Sequence, residues 1–136
     1  KYARKYNIPF FGICLGMQIL CAYSEEGNEA GLAVVEGSVK MLSPSTTERI
    51  PHVGWNTVKI DSNDPILNGL GPEQDFYFLH SYHVALGGTI KCLGYTEYGH
   101  SIVAMFRSKN IWGVQFHPEK SQSSGLKLLS NFVRHA

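Results

Sequence analysis

The sequence predicts an α/β fold built around a mixed sheet. Three observations point to it. Residues 8–13 form a short apolar run without alternation, as a buried parallel strand requires. A helical pattern follows at once over 15–23. Three further strand patterns crowd between 89 and 116, and a second helical stripe closes the chain.

Each element has a local reason. Pro9 stands near the start of the first strand, where a missing N–H is tolerated. Leu15, Ile19 and Ala22 share one face of the first helix, with Gly27 just past its expected end. Residues 31–42 read as one or two short strands and 43–51 as a polar connection. Residues 56–60 read as a strand, and 61–74 as a loop broken by Pro65, Gly69, Gly71 and Pro72. Residues 75–79 form another strand, with 80–84 continuing past its end. The patterns at 89–96, 101–106 and 110–116 are parted by turn residues, which predicts antiparallel hairpins. Leu126, Leu129, Phe132 and Val133 give the last helix, 123–134, its apolar stripe.

At 136 residues the chain suits a single domain, 1–136. The opening YARKYNIPFFGIC reads as the end of a helix running into a strand. One parallel strand near residue 10 cannot form a layer alone. Both features lead us to expect a partial domain whose missing N-terminal portion carries that strand's partners.

Composition excludes several function classes. The chain is 43% hydrophobic and 17% charged, so it is neither disordered nor highly charged. A formal charge of +1 with scattered Lys and Arg speaks against a nucleic-acid partner. Cys14, Cys21 and Cys92 show neither CxxC nor metal-site spacing. We expect no metal, no cofactor and a reducing, cytoplasmic setting. No apolar run approaches bilayer length.

The strongest local signal is Gly12-Ile13-Cys14-Leu15-Gly16, at the junction of strand and helix. It is the cysteine version of a nucleophile elbow. The flanking glycines allow a sharp turn that lifts the Cys14 sulfur above the sheet edge. Helix donors beneath it are expected to lower its pKa. The Leu15 N–H can face an oxyanion. Alternatively, Cys14 is a small buried hydrophobe beside a turn. Cys21 and Cys92 read as packing. Gln18 lies one helical turn after Cys14, so it either faces the same pocket or sits on the surface.

The second signal is Gln115-Phe116-His117-Pro118-Glu119, after an apolar strand. Residues two apart in extended backbone share a side, which brings Glu119 to the His117 ring. Imidazole can take the Cys14 proton while the carboxylate orients the ring. The competing reading makes His117 a strand-end cap and Glu119 part of a helix start. His80 and His83 are alternative bases on a pocket wall, without a carboxylate at local spacing.

These motifs resemble the class I glutamine amidotransferases. The stretches PFFGICLGMQIL, PHVGWN, FYFLHSYHV and GVQFHPEKSQSSGLKLLSNF carry the likeness, most closely to the glutaminase branch serving imidazole glycerol phosphate synthase. The resemblance implies the three-layer fold of that family. It implies that Cys14 is the nucleophile, His117 the base and acid, and Glu119 its orienting carboxylate. Leu15 supplies one oxyanion donor, and Gln18, Ser81 and Tyr82 contact bound glutamine. Pro51, Trp55 and Lys120 face a (β/α)8-barrel cyclase. The family's glycine-rich oxyanion loop does not precede Cys14 here. Two other readings stay open: a glutaminase or cysteine hydrolase serving another reaction, and a non-catalytic binding subunit.

Overall fold

The computed structural model describes residues 1–43 and 48–136. The connection predicted over 43–51 therefore lies partly outside the described residues. A short helix, α1 (Tyr2–Lys5), leads into β1 (Phe10–Ile13) and α2 (Leu15–Gln18). Then come β2 (Tyr23–Ser24), β3 (Glu29–Ala30), β4 (Gly37–Met41), β5 (His52–Ile60), β6 (Glu73–His80) and β7 (Tyr82–Leu86). β8 (Lys91–Glu97), β9 (Ser101–Ser108) and β10 (Ile111–Val114) precede the long helix α3 (Gln122–His135).

The strands form two sheets. The larger has the order β1-β10-β9-β8-β5-β6, and the smaller β3-β2-β4-β7. Among the described residues of the larger sheet only β1 and β10 are parallel; β10, β9 and β8 are successive antiparallel neighbours, as their turn signals predict. The first strand thus finds one parallel partner inside this chain, on one of its two sides, and stands at the edge of the sheet. That partner is a hundred residues away, beyond any local pattern.

Two cores flank the larger sheet. On one face Leu128 and Phe132 of α3 and Ile66 of a 3-10 turn (Pro65–Leu67) pack on Phe76, Phe78, Trp112 and Phe116. On the other, Met17 and Leu20 pack with Val39, Val84, Phe106 and Ile111, joining α2 and the smaller sheet. Each fully buried aromatic or aliphatic side chain contributes roughly 1.5–3 kcal/mol. The expected layering is therefore present: helix, sheet, then a layer of short helix and small sheet.

Several boundaries differ from the prediction. The first helix ends at Gln18, not Tyr23. The segment after it supplies the reason. Leu32, Val34, Ala33 and Gly31 donate their N–H groups to the carbonyls of Ile19, Leu20, Cys21 and Ala22. The returning chain takes over this stretch, and Tyr23 enters β2 instead. Gly27, expected beyond the helix end, has φ +68 inside a separate 3-10 turn (Glu26–Asn28). The strand expected at 56–60 begins at His52, and the continuation after 80 is a separate strand, β7, in the smaller sheet.

Candidate active site

The elbow forms at the parallel edge of the larger sheet. Ile13 pairs with Val114, and the Cys14 N–H donates to the Val114 carbonyl at 2.8 Å. The chain then turns sharply: Cys14 has φ 51 and ψ −108, a conformation L-residues rarely adopt. The turn needs Gly12. A Cβ there would lie 2.6 Å from the Gly16 carbonyl oxygen. Gly16 itself faces open space, so the crowding falls on one of the two glycines only.

The environment of the sulfur corrects one expectation. The Leu15 N–H does favour the thiolate, but burial outweighs it and raises the Cys14 thiol above its ordinary value of 9.0; the nearby Glu119 and Glu26 carboxylates push the same way. With α2 only four residues long, its dipole is weak. Cys14 is a thiol at rest. Its neighbours are the Gln115 amide nitrogen at 3.6 Å and the Leu79 carbonyl at 3.7 Å.

His117 lies three residues past the end of β10, beside the strand that leads into Cys14. Its Nδ1 is 2.5 Å from Glu119 Oε1. Nδ1 must be the donor to that carboxylate, which leaves Nε2 as an acceptor. The contact is made through a 3-10 turn (Pro118–Lys120), not through extended backbone as the spacing suggested. Glu119 is close enough for its charge to act on Cys14. Among the described residues no hydrogen bond joins Cys14 directly to His117. Such contacts in ligand-free sites are often long and tighten on binding.

The His117 backbone is clamped. Its N–H donates to the Tyr77 carbonyl at 2.8 Å. Buried Ser121 donates its hydroxyl to the His117 carbonyl at 2.6 Å and accepts from the Tyr77 N–H at 2.9 Å. Behind the turn, a Cβ at Gly125 would come within 1.8 Å of the Pro118 carbonyl oxygen. Alanine there gains about 1 kcal/mol of helix propensity. Overlap with backbone costs up to about 3 kcal/mol. Gly125→Ala is therefore expected to destabilise by about 2 kcal/mol in urea unfolding. A stabilised variant would show that the turn gives way freely.

Gln18 is not a surface residue. It is 6% exposed, and its amide nitrogen donates to the Tyr82 carbonyl at 3.0 Å and to Gln115 Oε1 at 3.1 Å. The Ser81 carbonyl accepts from the Leu42 N–H at 2.9 Å. The carbonyls of Ser81 and Tyr82 are thus engaged within the protein. Pro51, Trp55 and Lys120 are exposed. His83 stands against His100. His80 belongs to a hydrogen-bonded chain rather than an open wall: its Nδ1 donates to the Tyr82 carbonyl at 2.8 Å. The described residues contain no group of three or more metal-ligating side chains.

A cavity of about 330 Å³ opens beside the elbow, lined by Leu15, Gln18, Ile19, Ser24, Glu26 and Glu29. Sequence reasoning missed its two carboxylates. Glu26 is the one whose charge reaches Cys14. It lies in an irregular turn between two very short strands, and no spacing pattern marks it.

The family model for glutamine amidotransferase class-I matches residues 1–136. The chain belongs to this family. Among curated proteins it is 46% identical over 128 residues to an imidazole glycerol phosphate synthase subunit HisH from Methanococcus maripaludis, covering 93% of this chain and 62% of that one. It is 44% identical over 135 residues to a HisH subunit from Nitrosomonas europaea, covering 94% and 64%. The chain thus spans less than two thirds of the length of these amidotransferase relatives.

Solved amidotransferase structures share the fold. A glutamine amidotransferase from Thermotoga maritima superposes with a TM-score of 0.67 at 21% identity, covering 98% of this chain and 50% of that one. The glutaminase domain of a Trypanosoma brucei CTPS gives 0.66 at 20% identity, covering 98% and 63%. No helix of the described residues is long and apolar enough to cross a membrane.

Proposed function

We propose that this chain carries the glutamine-hydrolysing site of an imidazole glycerol phosphate synthase and delivers ammonia for histidine biosynthesis. One observation carries the reading. The strained Cys14 elbow stands at the same parallel strand edge as a histidine whose Nδ1 is held by a carboxylate.

The chemistry follows from that arrangement. His117 Nε2 accepts the Cys14 proton, and the sulfur attacks the side-chain carboxamide carbon of glutamine. The Leu15 N–H supports the oxyanion. His117 returns the proton to the nitrogen, the C–N bond breaks, and ammonia leaves a glutamyl thioester. Water, deprotonated by His117, attacks the thioester; the C–S bond breaks, glutamate leaves, and His117 returns the proton to the Cys14 sulfur. Glu119 keeps the ring in the tautomer that both steps use. Gln18 and the backbone of Ser81 and Tyr82 position the amino-acid end of the substrate. Glu26 stands where it can receive the α-ammonium group.

Ammonia would then pass to a (β/α)8-barrel cyclase that joins it to an open-chain ribulosyl nucleotide. Pro51, Trp55 and Lys120 would face that partner. Exposed Val53 and Trp55 lie opposite Leu79 and Tyr77 in the β5–β6 register, an apolar strip suited to a protein contact.

The reading is tested by labelling with a glutamine analogue that carries an electrophile at its δ-carbon. Cys14 is expected to react selectively, with free glutamine protecting it. Equal labelling of Cys14, Cys21 and Cys92, or protection by asparagine as good as by glutamine, would defeat it.

A further inference from the structure

We propose that Gln115 is a further catalytic residue, whose amide N–H is the fixed donor to the Cys14 sulfur and supports the anion formed when the thiol loses its proton. The proposal rests on Cys14 being the nucleophile of the proposed reaction. Gln115 follows β10 directly and is fully buried.

A glutamine amide can be built either way round, but here its neighbours decide. The Tyr82 carbonyl can only accept. Both His80 Nδ1 and Gln18 Nε2 lie against it, at 2.8 and 3.0 Å. The Gln18 group there must be NH2. That same NH2 meets Gln115 at 3.1 Å, so the facing Gln115 atom must be oxygen. The Gln115 nitrogen is left for the sulfur, 3.6 Å away.

The chain continues beyond Tyr82. Because His80 Nδ1 carries a hydrogen, its Nε2 accepts from His52 Nδ1 at 2.9 Å. His52 Nε2 then accepts from Asn56 Nδ2 at 3.2 Å. Every link has one permitted direction. The Tyr82 carbonyl, which can only accept, thus dictates through Gln18 that a donor, not an acceptor, meets Cys14.

The sulfur's second neighbour has the opposite preference. The Leu79 carbonyl suits the thiol, which can donate to it, and opposes the thiolate. Glu119 from the 3-10 turn and Glu26 across the cavity also oppose ionisation. The remaining donor is the Leu15 N–H, which must also serve the oxyanion. Gln115 alone can stay on the sulfur throughout.

The test is the pH dependence of Cys14 alkylation by iodoacetamide in the full chain, read by mass spectrometry, with exposed Cys92 as the internal reference. Gln115→Met keeps the length and loses the donor. Its Cys14 midpoint is expected about one pH unit higher, with roughly tenfold slower alkylation below the midpoint. The reference cysteine should not move. In the wild type, the Gln115 side-chain amide resonances are expected to shift through the Cys14 midpoint. An unmoved midpoint in the folded variant, or resonances flat across the wild-type midpoint, would overturn the proposal. Neither readout uses glutamine. Both shifts, together with a wild type that never hydrolyses glutamine, would sink the proposed function and leave the donor standing.

Discussion

Glutamine hydrolysis is expected to fall to background in Cys14→Ser and by at least about 10³-fold in His117→Asn, with the double variant no worse than Cys14→Ser alone. The size of the His117 effect follows from the state of the sulfur. Burial raises the thiol above its ordinary value despite the Leu15 N–H, so at pH 7 the protonated form prevails. A site with a pre-formed thiolate could lose its base and keep much of its rate. This one cannot, because the proton must be removed during attack. Asparagine at 117 can fill space but cannot shuttle a proton. Serine at 14 has a far higher pKa and is a poorer nucleophile at the same spot. The two losses are not additive, since the residues act on one proton. Glutamate release, measured as kcat/KM with the proposed cyclase present, checks this. A His117→Asn variant that kept a tenth of the activity would mean that the base lies elsewhere.

Much of this site was legible because its parts are local. The elbow announces itself through Gly12, whose missing Cβ is required by a carbonyl four residues away. His117 and Glu119 are two residues apart, so any compact turn brings them together. Other parts were hidden for an equally physical reason. The parallel pairing of β1 with β10 joins residues about a hundred apart, and periodicity carries no record of it. The end of α2 depends on which carbonyls the segment 31–35 takes, so propensity over 15–23 overstated the helix. Gln18 and Gln115 look like ordinary surface amides in the sequence. Only the fold shows that each is buried and that the two amides are hydrogen-bonded to one another. The thiol's ionisation was misjudged because a helix dipole is readable from sequence whereas desolvation is not.

The largest stability change is expected on mild acidification. His52 and His80 are buried and neutral; burial first, then the neighbouring imidazole for His52, carries that ring from 6.5 to about 4. Burial does the same to His80, bringing it to about 4, with His83 and His117 pushing further down and the Tyr82 carbonyl opposing. Protonating either ring would remove an acceptor: His80 Nε2 from His52, or His52 Nε2 from Asn56. The sign follows. Both groups have depressed folded values, so the unfolded chain binds protons first. Stability is full above pH 6.5 and is lost as the pH falls towards 4. Between pH 7 and pH 5 the two rings together should cost about 3 kcal/mol, a large share of a small domain's stability. Half-buried His83, lowered by burial and by His100 and Lys40, adds in the same direction. Urea unfolding at the two pH values measures the loss. His52→Gln with His80→Gln should remove more than half of it, since neither amide gains a proton in this range. A double variant with the wild-type pH dependence would place the acid sensitivity in other groups.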